Sequence, residues 1–504
     1  MKPQSIFSAP SFQILTFGTA ALVLGSLAHA ADSTWSNTGT DFNTAGNWSA
    51  GVPGAGNQAI FNVAAVTNPN LSTSLSIGEL TFSTATSSGY TLSASPGQSL
   101  TLTGRTLATS NAIESLNTSG TNTISANLIV SRTGGGASTF TQAVGGTLVL
   151  SGNISGTSTL INLARSGSGT ATFTLSGNNS GFAGGFALVN ASSALNIGSA
   201  NALGSGTFVI GSGSSLTINN TIGSAATFSN NLNFSSTAAQ TITFGGSDMN
   251  FSTGSVALGN TAATQTTLIV NSGTTVTLGG SVSQAAAGAG ILKNGTGNLV
   301  LGGSSIAYTG VTTVSAGTLL INGNASNATG AVSVASAATL GGTGTVGGAT
   351  TAASGSFLAP GTDGTAGTLT FASTLNISGL AGGLAGHLKF DLGAVGSSDI
   401  ITLTTGALSI GTGLLNFDDF SFSTLSGFGG GSYTLFTSST SITGTLGSNL
   451  TGTVGGLSAV LSLANSNQDL ILTVTAIPEP STYASLLGVV VLGSAALRRR
   501  RQAN

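Results

Sequence analysis

The chain has 504 residues, 4% of them charged, with 77 glycines, no cysteine and a formal net charge of −2. Its few Lys and Arg are unclustered outside the C-terminus, which excludes electrostatic binding of nucleic acid by the body of the protein; the lack of cysteine excludes a disulfide framework and thiolate chemistry. Hydrophobic residues make up 40% of the chain, too many for low-complexity disorder despite the abundance of Gly and Ser.

Residues 1–30 read as a secretory signal peptide. Lys2 supplies a basic start, residues 14–27 are largely apolar, and Ala28-His29-Ala30 is a small-residue signature that puts signal peptidase cleavage before Ala31. His387 is then the single histidine of the mature chain. Residues 31–110 form an N-terminal β region.

From 111 to 380 short apolar runs recur, among them Thr147-Leu148-Val149-Leu150, Leu216-Thr217-Ile218, Val276-Thr277-Leu278 and Leu299-Val300-Leu301. Gly, Asn and Ser punctuate them every 6 to 12 residues or so, too closely for helices to fit between. Phe173-Thr174-Leu175-Ser176-Gly177-Asn178 echoes Leu148-Val149-Leu150-Ser151-Gly152-Asn153. One such unit cannot bury its apolar face alone, whereas stacked units bury a continuous column. The expected fold is therefore all-β, an elongated parallel β-helix (β-solenoid). At about 22 residues per coil there would be roughly 20 coils, each rising about 4.8 Å, for a rod of about 90 Å. Residues 381–476 continue as a C-terminal β region whose last predicted strand is 470–474.

The clearest repeat lies at 289–323. Lys293, Gly295, Gly297, Leu299, Leu301, Tyr308, Gly310, Thr312, Gly317 and Leu319 occupy the places of a K-x-G-x-G-x-L-x-L, Y-x-G-x-T, G-x-L pattern, and this stretch resembles the autotransporter-associated β-strand repeat. Leu358-Ala359-Pro360-Gly361 looks like the segment that follows that repeat; Trp35, Asn47-Trp48 and Gly51-Val52-Pro53-Gly54 are similar to the opening of the same secreted proteins, which implies an N-terminal cap for the solenoid. No C-terminal translocator barrel of alternating strands with aromatic girdles follows.

Candidate chemistry is sparse. Asp418-Asp419 is the only adjacent acidic pair; in a strand the two would face opposite ways, so a turn is expected. His387, Lys389, Asp391 and Asp399 form the densest titratable group of the mature chain and are read as solvated loop charges. No Gly-Lys-Ser/Thr loop and no calcium-loop pattern occur, so no catalytic, cofactor or metal residues are expected. Ice binding would need a threonine at one position of every coil, and the linear Thr spacing is too irregular to favour it.

Residues 477–504 join Pro478-Glu479-Pro480 to an apolar run over 484–497 and then to Arg498, Arg499, Arg500 and Arg501. The run of 14 residues is about 21 Å of helix against a hydrocarbon core of about 30 Å, a temporary anchor at best. The arginines would stay cytoplasmic. This order closely resembles the bacterial PEP-CTERM sorting signal. The resemblance implies recognition by an exosortase, transient inner-membrane insertion through a short C-terminal transmembrane sorting helix, and delivery to the cell surface or extracellular matrix of a Gram-negative-type bacterium. The expected function is a non-enzymatic structural or adhesive protein associated with exopolysaccharide or biofilm matrix. The alternative is a carbohydrate-active β-helix enzyme, a polysaccharide lyase or hydrolase, which would require three or more charged side chains converging in one groove.

Overall fold

The computed structural model describes residues 31–105, 110–190, 192–211, 215–236, 239–259, 264–362, 364–380, 385–475 and 489–499. The proposed cleavage residues Ala28 and Ala30 lie outside these, as do Pro478, Glu479, Pro480, Arg500 and Arg501.

The alternating apolar pattern produces a three-sided parallel β-solenoid. The longest face is one 16-stranded sheet running from Asn70–Leu71 to Thr443–Leu446. A second face begins as an 11-stranded sheet at Ser33–Thr34. It continues into an 8-stranded sheet through a single residue, Ile306, which bridges Val282 in parallel and donates its N–H to Asn324 O at 2.9 Å. The third face holds a 4-stranded and then a 9-stranded sheet.

Inward residues stack in register. Leu148, Phe173, Leu195, Ile218, Phe244 and Val270 are successive partners on the longest face, all buried. Phe251, Leu278, Leu301 and Ile321 do the same on the third face. Each such side chain taken out of water stabilises the fold by about 1.5–3 kcal/mol, and none of these columns exists within a single coil.

The coils are longer and fewer than the repeat suggested. Around the clearest repeat, Ile291 pairs with Thr312 and Thr312 with Val332, close to the expected period. Toward the C-terminus Leu375 pairs with Leu408 and Ser409 with Thr443, so corner loops swell the coil by half. Sixteen strands on the longest face make a stack of about 70 Å at about 4.8 Å per step, shorter than the expected rod. Register also restores order to the threonines: Thr121, Thr147 and Thr172 stack as neighbours, as do Thr217 and Thr243, with Ala194 between the two groups. The irregular spacing in sequence reflects coil length, not misalignment.

Glycines sit where coils turn or touch. Gly295 has φ +72, a left-handed conformation that disfavours side chains. Gly310 is needed for a different reason: a Cβ there would strike the backbone of Gly288 and Ala289 in the preceding coil. Buried polar side chains satisfy corner carbonyls. Asn230 Nδ2 donates to Gly206 O at 2.7 Å, Asn179 Nδ2 to Ala202 O at 2.7 Å, and Gln142 Nε2 to Asn117 O at 3.0 Å. Lys293, fully buried, spreads its ammonium over Asn294 O (3.0 Å), Gly295 O (2.7 Å) and Ala316 O (3.0 Å). Burial lowers its pKa to about 8. Tyr308, also buried, shares a 2.7 Å hydrogen bond with Thr312 Oγ1.

Aromatic rings fill the first coil. Trp48 packs edge-on against Phe42 (4.7 Å) and Trp35 (5.1 Å), and its indole N–H donates to Phe42 O at 2.7 Å. The opposite end differs from the expected continuation of parallel coils. Gly431–Ser438, Asp469–Thr475, Leu457–Ala464 and Thr451–Val454 pair antiparallel and finish the 8-stranded sheet.

Residues 489–499 form a short helix whose described residues are all exposed, so it does not dock its apolar side on the solenoid. Eleven residues give about 16 Å of helix, and among the described residues no helix is long and apolar enough to cross a membrane.

Candidate functional site

The third face carries a groove of about 350 Å³, and its origin is a proline. The strands Phe357–Pro360 and Leu388–Leu392 share a single paired position, Leu358 with Leu388, where Leu358 N–H donates to His387 O at 3.0 Å. The next ladder bond on that side would have to come from the nitrogen of Pro360, which carries no hydrogen. The strands part there, and Gly361 turns back to the preceding coil, donating to Gly342 O at 2.9 Å. The gap opens among Leu320, Ala359 and Pro360 on one side and Lys389, Asp391, Ser421 and Ser423 on the other, with Thr318, Thr339, Thr362 and Asp399 also lining it.

Two carboxylates hold the excursion that follows Pro360. Asp399 accepts from Gly367 N–H at 2.7 Å and from Asp391 N–H at 2.8 Å, one bond on each oxygen. Asp391 Oδ2 accepts from Gly364 N–H at 2.9 Å. Asp399 is 2% exposed and Asp391 9%. Burial pushes the Asp399 pKa up to about 7; the two amide hydrogen bonds oppose the rise and the neighbouring Asp391 charge adds to it. His387 is buried as well, with Nδ1 2.6 Å from Ser356 O and its ring stacked on Phe357 at 4.6 Å. Lys389 is exposed and lays its ammonium over the Phe357 ring, 4.6 Å from the centroid.

The expectation of solvated loop charges is therefore wrong for His387, Asp391 and Asp399. Asp391, on the strand Leu388–Leu392, lies beneath the surface beside the loop bearing Asp399, and His387, just ahead of that strand, is covered by its stacking on Phe357. Three charged side chains, Lys389, Asp391 and Asp399, converge on one groove. The expected turn at Asp418-Asp419 is present: Phe417–Asp419 is a short 3-10 turn in which Asp419 Oδ2 accepts from Asn416 N–H at 2.8 Å. Among the described residues no group of three or more His, Cys, Asp or Glu is placed to hold a metal ion.

Of the residues assigned to export, Ala31 is exposed at the start of the described chain, and Arg498 and Arg499 end the exposed helix over 489–499. The tail is similar to a known signal: residues 476–501 match the PEP-CTERM protein-sorting motif. That motif implies exosortase-dependent export and a surface or extracellular location. No curated protein matches the chain.

Proposed function

We propose that this protein is a non-enzymatic structural or adhesive component of the cell surface or extracellular matrix, cleaved by signal peptidase before Ala31, sorted by an exosortase and associated with exopolysaccharide. The observation that carries the reading is the sorting motif at 476–501, attached to a solenoid whose exterior is dominated by Ser, Thr and Asn. Such side chains offer hydrogen bonds to sugar hydroxyls without charge. The Lys293 to Leu319 stretch, with its buried Lys293 and Tyr308, supports kinship with autotransporter-associated repeats. Transient membrane insertion involves the apolar run ahead of the arginine tail. The test is to fractionate cells expressing the full chain and a chain ending at Ile477. The shortened form is expected to be lost from the surface, and its presence there in equal amount would overturn the reading.

A second reading, a carbohydrate-active β-helix enzyme, is favoured by the convergence of Lys389, Asp391 and Asp399. Against it, both oxygens of Asp399 are engaged by backbone amides. A general acid must instead present its proton to the substrate.

A further inference from the structure

We propose that the groove beside Pro360 is a binding site for a short neutral oligosaccharide. The fold leaves a set of polar groups in it unused. Among the described residues, the hydroxyls of Thr318, Thr339, Ser421 and Ser423, the Oδ1 of Asp391 and the ammonium of Lys389 have no hydrogen-bond partner in the protein, and all line the groove. Asp391 is the decisive member: nine-tenths buried, it is fixed by Gly364 N–H on one oxygen and free on the other.

The arrangement selects the ligand class. Thr318 and Thr339 are register partners on adjacent strands, and so are Lys389 with Ser421 and Asp391 with Ser423. Donors and acceptors therefore recur at the ladder spacing of about 4.8 Å, the scale of one pyranose ring. An apolar ligand would leave these groups desolvated and unpaired at about 1–3 kcal/mol each. An anionic polymer would lose against the Asp391 carboxylate what it gains from the Lys389 ammonium, with Asp399 adding repulsion wherever it is ionised. A neutral sugar chain suits both constraints, its hydroxyls donating to Asp391 and accepting from Lys389. The groove volume of about 350 Å³ lies within the usual range for small-ligand sites, roughly 300–1,000 Å³.

The site stands on this geometry; only the choice of sugar rests on the matrix reading above. Purified full-length protein is titrated calorimetrically with neutral gluco-, xylo- and manno-oligosaccharides and with an oligouronate. Saturable binding of a neutral series is expected, weakened about tenfold or more by Asp391→Asn, which keeps an acceptor for Gly364, and severalfold by Thr339→Val. Both variants should melt within a degree or two of the parent. Absence of saturable binding, binding unaffected by both variants, or preference for the oligouronate would overturn the proposal. Cleavage lost in Asp391→Asn would support the site while overturning the non-enzymatic reading. Export plays no part in this measurement, so failure of the sorting reading and failure of the groove are read separately.

Discussion

The ammonium of Lys293 lies 3.0 Å from the carbonyl of Ala316, one coil further along the chain. With two more carbonyls from its own corner, it fastens adjacent coils from inside with no acidic partner among the described residues. Lys293→Met should cost about 1–3 kcal/mol, because three carbonyls lose their donor. The sign of the pH effect follows from the depressed pKa, about 8 in the folded chain against about 10.4 unfolded. The folded state binds fewer protons between these values, so stability rises as pH climbs from about 8 toward 10. Urea titrations across that range should show the rise in the parent and not in Lys293→Met.

Asp399 has the opposite pH signature. Its folded pKa is raised to about 7 above an unfolded value of about 3.9, so the folded state holds the extra proton and stability falls as pH rises from about 4 to 7. Asp399→Asn should remove that slope and add a loss independent of pH, since an amide can accept from only one of Gly367 and Asp391. Denaturation midpoints measured at pH 4, 5.5 and 7 check both parts.

Replacing Gly295 by Val forces a β-branched residue into positive φ, and replacing Gly310 by Val drives a side chain into the backbone of Gly288 and Ala289. Each should destabilise by about 1–3 kcal/mol. Asp418→Asn, on an exposed side chain, should stay within about 0.5 kcal/mol. Asp419→Ala removes the turn's cap and should cost about 1 kcal/mol. Thermal melts that rank Asp418 above the glycines would contradict the coil assignment.

Removing the residues after Ile477 should leave the melting temperature unchanged. The helix over 489–499 buries none of its described residues, and the last strand, Asp469–Thr475, remains intact. A drop of several degrees would mean the tail packs on the solenoid.

The parallel coils were legible because Val276 and Leu278 alternate with the polar Thr275 and Thr277 and Gly295 marks a corner. The antiparallel finish was not: Asp469–Thr475 carries the same period-two pattern as a parallel strand, and nothing in that pattern says which way its neighbour runs. Pro360 stood out in sequence as part of the segment that follows the repeat, yet a missing N–H opens a groove only if a strand lies beside it. That neighbour, Leu388–Leu392, begins 28 residues later. The same blindness made Asp391 and Asp399 look solvated, since seven intervening positions conceal that their backbones bond to each other and that the Asp399 carboxylate accepts from Asp391 N–H. The demand for glycine at 310 comes from contact with the previous coil, which leaves no trace in local composition.

The chain leaves the antiparallel finish at Thr475, only three positions ahead of Pro478, a reach of about 11 Å at most. On the sorting route proposed above, with that tail held at the inner membrane, the solenoid would have a fixed polarity. Its antiparallel end is the base, and the coil filled by Trp35, Phe42 and Trp48 is the tip that meets the outside first. The groove beside Pro360 belongs to the basal coils, so on that route it would lie close to the envelope, whereas the tip is left to rigid aromatic packing.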